Sequence, residues 1–505
     1  MDTRRLRRAD DDRALRTAIA EITEVAKGFG LDFFPMRFHI VPADVMYAIG
    51  AFGMPTRFAH WRFGKAYYKM KMQYDLGLSK IYELVINSDP CEAFLYEGNS
   101  LLQNKLIIAH VLAHSDFFKN NVYFAKTNRK MVDSMAASAE RIRRYEIAYG
   151  EKRVEAFLDA VLAIQEHIDP YGTAREDGFW WERHLDGGSR AGGSTADRLK
   201  ARFRAGGRVG DPGEHEAPRG RGETHKDARR PGDYADLWAL VHDPPTRFPP
   251  EPEKDVLLFI LRYSSVLQPW QRDVMTVVHD EMRYFWPQME TKIMNEGWAT
   301  YWHQRIMRAL DLSPEEAWEY AKMHAEVVQP SRATVNPYLL GWKLFEAIEA
   351  LYDDPPEALY RRGVRSGSGR EKIFEVRELG SDVSFLRNYL TKEVVEALDL
   401  FVYQKQGDDW RVATTDWEAV REALIRQRTN GGFPTIVVED GDFERSGALL
   451  LRHVYDGLEL DARYIEKTLP YVYALWGRPV HLLTVTCGKA VRFSYDGKAH
   501  TREPV

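Results

Sequence analysis

Between residues 10 and 29, Leu15, Ala18, Ile19, Ile22, Val25 and Ala26 recur at the three- and four-residue spacing of one helical face, and Gly28 and Gly30 end the pattern. This predicts a first amphipathic helix. Ser100 to Asn120 reads as one long helix, and residues 131 to 167 are helical again, with clear i, i+3, i+4 spacing in EKRVEAFLDAVLAIQEH. Further helices are expected over 254–285 and 291–328, with Pro287 marking the break between them. KIYELVINSDPC reads as a short strand followed by an Asp-Pro turn. VRSGSGREKIFEV reads as a Gly/Ser loop entering a strand, and it lacks the glycine and lysine spacing of a phosphate-cradling loop.

From about residue 390 the pattern changes. LDLFVYQKQ, PTIVVEDGD, ALLLRHVYDG and HLLTVTCG are strand-length runs rich in aliphatic residues, separated by helical segments around 416–428 and 461–476. The chain is therefore expected to be an α+β protein. A large, mainly helical, aromatic-rich domain spans 1–385, and a smaller α+β domain spans 386–505.

Composition alters this outline in one place. Residues 186–232 are rich in Gly, Arg and Pro with few large apolar groups, so they lack the surface to bury and are expected to be a flexible insertion. Over the whole chain 44% hydrophobic residues, with 13 Trp, 25 Tyr and 24 Phe, are ample for a sizeable core. A net charge of -5 gives no global electrostatic reason to bind nucleic acid. Cys91 and Cys487 are too far apart in sequence to suggest a disulfide framework. No run of 18 uncharged apolar residues occurs and the N-terminus has no signal-like apolar core, so a soluble cytoplasmic protein is expected, with no membrane span.

The candidate chemistry lies in two segments. His110 and His114 are four apart, which on a helix places both imidazoles on one face about 40° apart, a geometry that can grip one metal ion. In a zinc hydrolase helix of the H-E-x-x-H kind the residue after the first histidine is the glutamate that activates water. Here it is Val111. Buried histidines bonded to carboxylates explain the same spacing without a metal. Asp116, Asn120 and Asn121 crowd the same region.

The second segment, TKIMNEGWATYWH, carries Glu296 and His303 on one helical face. Seven residues rise about 10.5 Å, too far for both to hold one ion, so His303 would stand behind the ligands or face a substrate. NEGWA resembles the NEG-[FLW]-A helix of the gluzincin aminopeptidases, whose Glu is the third zinc ligand, and this similarity makes Glu296 the third ligand beside His110 and His114. Upstream, Glu281 shares a helical face with Tyr284. Among aromatic residues its carboxyl would have a raised pKa, which suits a replacement base. The alternative is a core carboxylate paired with Lys292 or Arg283.

HVLAHSDFFKNN, YELVINSDPC, PQMETKIMNEGWATYWH and KIFEVRELGSDVSFLRNYLT, in that family's set of motifs, make the chain resemble the SpoVR family (stage V sporulation protein R) over nearly its whole length apart from 186–232. The resemblance implies a cytoplasmic protein linked to spore cortex assembly or to stress and stationary-phase adaptation. It also implies as partners a serine protein kinase and a protein with a von Willebrand A-like domain. Two functions stay open. One is an atypical zinc (or other divalent metal) hydrolase acting on peptide or cell-wall-precursor amides, with Glu281, Tyr284 or His303 handling protons or an oxyanion. The other is a non-catalytic regulatory scaffold working with the kinase.

Overall fold

The computed structural model describes residues 3–75, 83–172, 247–330, 334–406 and 409–505. The expected insertion at 186–232 lies outside the described residues. The chain divides into two compact units, Met1–Pro170 with Glu251–Val505, and Tyr171–Pro250. All elements below belong to the first.

Its helices are α1 (Thr3–Gly28), α2 (Ala43–Phe52), α3 (Trp61–Asp75), α4 (Leu101–Asn120), α5 (Met131–Tyr149) and α6 (Glu151–Leu162). After residue 247 come α7 (Val256–Tyr263), α8 (Pro269–Glu290), α9 (Lys292–Ala309), α10 (Pro314–Val327), α11 (Pro337–Asp353), α12 (Gly369–Leu379) and α13 (Asp382–Tyr389). A three-stranded sheet in the order β1 (Met36–Val41), β3 (Cys91–Tyr96), β2 (Leu84–Ile86) lies within this helical part. β1 runs parallel to β3, and β2 antiparallel to it with Leu84 opposite Phe94.

The C-terminal part has a hairpin of β4 (Val402–Gln406) and β5 (Asp409–Thr414), helix α14 (Trp417–Arg428), then β6 (Ile436–Phe443), β7 (Ala448–His453), helix α15 (Ala462–Trp476), β8 (Val480–Thr486), β9 (Lys489–Tyr495) and β10 (His500–Pro504). The last five strands form one sheet in the order β10-β9-β8-β7-β6. Its single parallel pair, β7 with β8, is bridged by α15, the helical crossover that parallel strands require. The protein is thus α+β, mainly helical before this sheet. Among the described residues no helix is long and apolar enough to cross a membrane.

Two helices occupy the centre. In α4 every residue from Leu106 to Phe118 is buried, and in α9 every residue from Ile293 to Gln304. Helices buried on all faces are packed by neighbours on every side. The start of α4 is fixed by a capping box, in which Ser100 Oγ accepts from the Gln103 amide and Gln103 Oε1 from the Ser100 amide. Around α9, Trp298 meets Phe345 and Phe374 edge-on at 5.2 Å between ring centroids, and Trp302 at 5.5 Å.

The expected helical runs 131–167, 254–285 and 291–328 each divide into two helices, α5 and α6, α7 and α8, α9 and α10, and two further expectations change. α8 continues through Pro287, and the break comes at Thr291, whose amide and hydroxyl both donate to the Pro287 carbonyl at 3.2 and 2.7 Å. Pro287 has no N–H for the Arg283 carbonyl and costs α8 that one bond without ending it, whereas the restart of α9 is imposed from a distance. The Asp382 carboxylate accepts from the Ile293 and Met294 amides at 2.9 and 3.0 Å and so caps the new helix. The second change is KIFEV, which is helical and not a strand: it forms part of α12. The Gly369 amide is capped by Asp353 Oδ1 at 2.9 Å, and Ile373, Val376 and Arg377 are buried at helical spacing.

A buried ion pair ties α7 to α8. Asp255 Oδ1 caps α7 by accepting from the Leu258 amide, and Oδ2 accepts from the Asp169 amide and lies 2.8 Å from His279 Nε2. Burial opposes the charged imidazole, but Asp255 and Asp280 outweigh it and push the His279 pKa up to about 9. The folded state therefore holds this proton more tightly than the unfolded chain does. The stabilisation is complete below pH ~6.5 and is lost as pH rises through about 9, each pH unit in that window removing up to roughly 1.4 kcal/mol. Urea unfolding of His279→Gln should show a shallower loss of stability over this window than the wild type. Parallel curves would refute the ion pair's role.

Candidate metal centre

α4 brings His110 and His114 to one face, with ring centroids 4.6 Å apart. α9 packs alongside and presents Glu296, whose Oε2 lies 3.7 Å from His110 Nε2 and 3.5 Å from His114 Nε2. A fourth donor comes from the residue just before β2. Glu83 Oε1 lies 3.3 Å from His110 Nε2. Ligand atoms of Glu83, His110, His114 and Glu296 all lie within 4.8 Å of one another.

Hydrogen bonds behind the cluster orient each donor. His114 Nδ1 lies 2.8 Å from Asn295 Oδ1, so its proton sits there and the Nε2 lone pair faces Glu296. His110 Nδ1 lies 2.8 Å from His303 Nδ1. Lys292 Nζ donates to Glu296 Oε1 at 2.5 Å, one helical turn away, and the Tyr338 hydroxyl donates to Glu83 Oε1 at 3.1 Å. His110 Nε2 and Glu296 Oε2, by contrast, are buried with no hydrogen-bond partner. Orphaned buried donors and acceptors carry a desolvation cost. These two point at one another across a gap too long for a good hydrogen bond. Two imidazoles and two carboxylates converging about these two unpartnered atoms are a donor set that suits zinc or a similar divalent ion.

The charges agree with this. Burial opposes ionisation of Glu83, His110 and Glu296. The carboxylates nevertheless push His110 up to about 9, while His110 holds Glu83 below its ordinary range. Glu296 is held well below the usual carboxylate range because Lys292 and both histidines outweigh its burial. In the absence of metal, a proton on His110 offsets the two carboxylates.

The other residues singled out in the sequence lie elsewhere. Glu281 is buried and pairs with Arg57, whose Nε donates to Oε2 at 2.7 Å, and not with Lys292 or Arg283. Burial raises its pKa, Arg57 opposes this, and none of the four cluster residues contributes. The Arg57 guanidinium lies 4.4 Å from the Phe63 ring centroid, in a packed structural setting. The Tyr284 hydroxyl donates to the Asn87 carbonyl at 3.2 Å. None of these bonds or charge interactions reaches the four cluster residues. On α8 they pack toward α2 and the neighbouring loop, while Glu296 belongs to α9, a separate helix that restarts after Thr291. Asp116, Asn120 and Asn121 also turn away. Asp116 accepts from the Trp298 indole at 2.8 Å and the Asp32 amide at 2.8 Å, and Asn121 donates to the carbonyls of Arg377 and Gly380.

Family models match the chain on both sides of residue 433, "SpoVR like protein" over 10–433 and "SpoVR-like C-terminal domain" over 434–486. The chain belongs to the SpoVR family. It is 28% identical over 496 residues to an uncharacterized Escherichia coli K12 protein, YcgB, with 92% of this chain and 90% of that protein covered. No solved structure matches significantly. The four SpoVR segments quoted from the sequence converge around the cluster. HVLAHSDFFKNN supplies His110 and His114, YELVINSDPC supplies Glu83, PQMETKIMNEGWATYWH supplies Lys292, Asn295, Glu296 and His303, and KIFEVRELGSDVSFLRNYLT supplies the Asp382 cap. Glu83 was legible only as part of such a segment, since no spacing ties it to His110. Tyr338 lies outside all four and carried no signal.

Proposed function

We propose that this SpoVR protein is a cytoplasmic metal-dependent hydrolase of amide bonds in peptides or cell-wall precursors, serving spore cortex formation or stress adaptation. His110, His114 and Glu296 would hold zinc. The observation that carries this reading is the pair of orphaned atoms, His110 Nε2 and Glu296 Oε2, at the meeting point of four convergent donors. Zinc bound there would polarise a carbonyl and acidify water.

The protein's own groups divide the remaining work. Val111 is fully buried and apolar, so the water-activating carboxylate must come from elsewhere. Glu83 takes that part in this reading. Its side chain is 21% exposed, against 3%, 5% and 8% for His110, His114 and Glu296, so it stands on the side from which water and substrate arrive. Tyr338, its ring stacked 5.9 Å from His110, keeps its proton because burial and the carboxylates hold its pKa well above the ordinary value. It is a hydrogen-bond donor for a developing oxyanion. Lys292 fixes the outer oxygen of Glu296.

A second reading rests on the same Glu83. Four protein donors close a tetrahedral site, as in structural zinc centres. The protein would then be a regulatory scaffold working with a serine protein kinase and a von Willebrand A-like protein. Glu83→Gln separates the two. As the base, it should leave stoichiometric zinc in place while lowering hydrolysis of a panel of peptide anilides and muramoyl stem peptides by about 10²–10⁴-fold. Loss of zinc in Glu83→Gln, with no hydrolysis by the wild type, would overturn the hydrolase in favour of the scaffold.

A further inference from the structure

Behind His110 a line of imidazoles leads away from the cluster. His110 Nδ1 lies 2.8 Å from His303 Nδ1, and His303 Nε2 lies 3.0 Å from His324 Nδ1. His324 belongs to α10 and is only half-buried, whereas His303 on α9 is 1% exposed. The His324 ring is wedged edge-on against Trp342 at 5.1 Å between centroids, with Tyr320 stacked at 6.0 Å; its Nε2 lies 3.5 Å from Gln304 Nε2, where the amide, turned over, presents its oxygen to a proton on His324 Nε2.

A neutral imidazole has one N–H and one lone pair, so the bonds along such a line cannot be chosen independently. For His110 to offer the Nε2 lone pair to a metal, its proton must be on Nδ1. His303 must then accept at Nδ1, which forces its own proton to Nε2. His303 Nε2–H in turn requires an acceptor, and the atom facing it is His324 Nδ1. The direction of the whole line is set by whether its outer end accepts.

We propose that His324 is a positioning residue which, by accepting a hydrogen bond from His303, fixes the metal-binding tautomer and ring orientation of His110 two residues away along the line. This rests on the metal reading of the cluster for its consequence, though the tautomer order itself does not. Groups that orient a metal-ligating histidine typically change metal affinity by about 10–100-fold when removed. No charge moves and no proton is exchanged with solvent in this role.

The test uses the full-length protein and zinc alone, with affinity measured by competition against a fluorescent chelator. His324→Ala should weaken zinc binding by about 10–100-fold, while His324→Asn, whose side-chain oxygen can stand near the place of Nδ1, stays close to wild type. Equal affinity in wild type and His324→Ala would overturn the proposal, as would an Asn variant as weak as Ala. Histidine ¹⁵N spectra of the metal-free protein give an independent readout. Recorded well above pH 9, where His110 is neutral, His303 should be the Nε2–H tautomer in the wild type and lose that bias in His324→Ala; an Nδ1–H form in the wild type would overturn the proposal. A wild type that binds no zinc but shows the expected tautomer would refute the metal centre and leave the histidine order standing.

Discussion

Replacing Glu296 by Gln is expected to abolish stoichiometric zinc binding while leaving the fold in place. Gln preserves the volume between α4 and α9 and can still accept from Lys292 through its amide oxygen. It removes the charge that holds His110 and His114 in register with a cation. The loss should exceed the roughly 10–100-fold seen when only a supporting group is removed, because Glu296 Oε2 is a carboxylate oxygen that faces both imidazoles, at 3.5 and 3.7 Å. His110→Ala should behave alike. Metal content by elemental analysis, with circular dichroism to verify folding, checks both. Stoichiometric zinc in either folded variant would sink the site.

A second readout follows from the charges. With His110 pushed up to about 9, the metal-free cluster carries a proton at neutral pH that a metal must displace. Zinc binding to the wild type should therefore release about one proton near pH 7, seen as a dependence of the calorimetric heat on buffer ionisation enthalpy. Affinity should rise with pH toward 9. In Glu296→Gln, no such release should accompany zinc addition.

The largest expected effect on stability comes from a pair of glycines. Gly297 on α9 and Gly341 on α11 meet so closely that a Cβ on either would overlap the other helix's backbone; one built on Gly341 would stand 2.6 Å from the Gly297 Cα and closer still to the Ile293 carbonyl. Backbone cannot swing aside as a flexible side chain can. Gly341→Ala must push the two helices apart along a core containing Trp298 and Phe345. Overpacking typically costs 1–3 kcal/mol and this contact belongs at or above the top, about 3 kcal/mol or more. Gly297→Ala should cost a similar amount. It adds a functional penalty, because the displaced helix carries Glu296 while α11 carries Tyr338. Urea midpoints should fall sharply for both variants. An unchanged midpoint in Gly341→Ala would show that the helices are not in this contact.

Much of the architecture was legible because it is local. Apolar spacing marked α1, α4 and the helical run 131–167, and strand-length runs marked β6, β7 and β8. The pairing of His110 with His114 is also local, since i and i+4 always share a helical face. KIFEV misled for the opposite reason: β-branched and aromatic residues suit a strand, but their burial at i, i+3 and i+4 against α4 and α11 suits a helix, and packing outweighs propensity. Pro287 misled because a helix held by its neighbours survives the loss of one hydrogen bond, while the break at Thr291 depends on Asp382, about ninety residues away.

The sequence by itself determined which residues could ligate and which helices would carry them, because side-chain chemistry and helical phase are properties of short segments. Only the tertiary structure decided which of those residues meet. It placed Glu83 beside His110, gave Glu281 to Arg57 across 224 residues, and lined up His303 with His324. Those choices follow from how α4, α9 and α11 pack, and that packing is set by distant contacts, the Gly297–Gly341 crossing and the Asp382 cap, which leave no periodic trace in the chain.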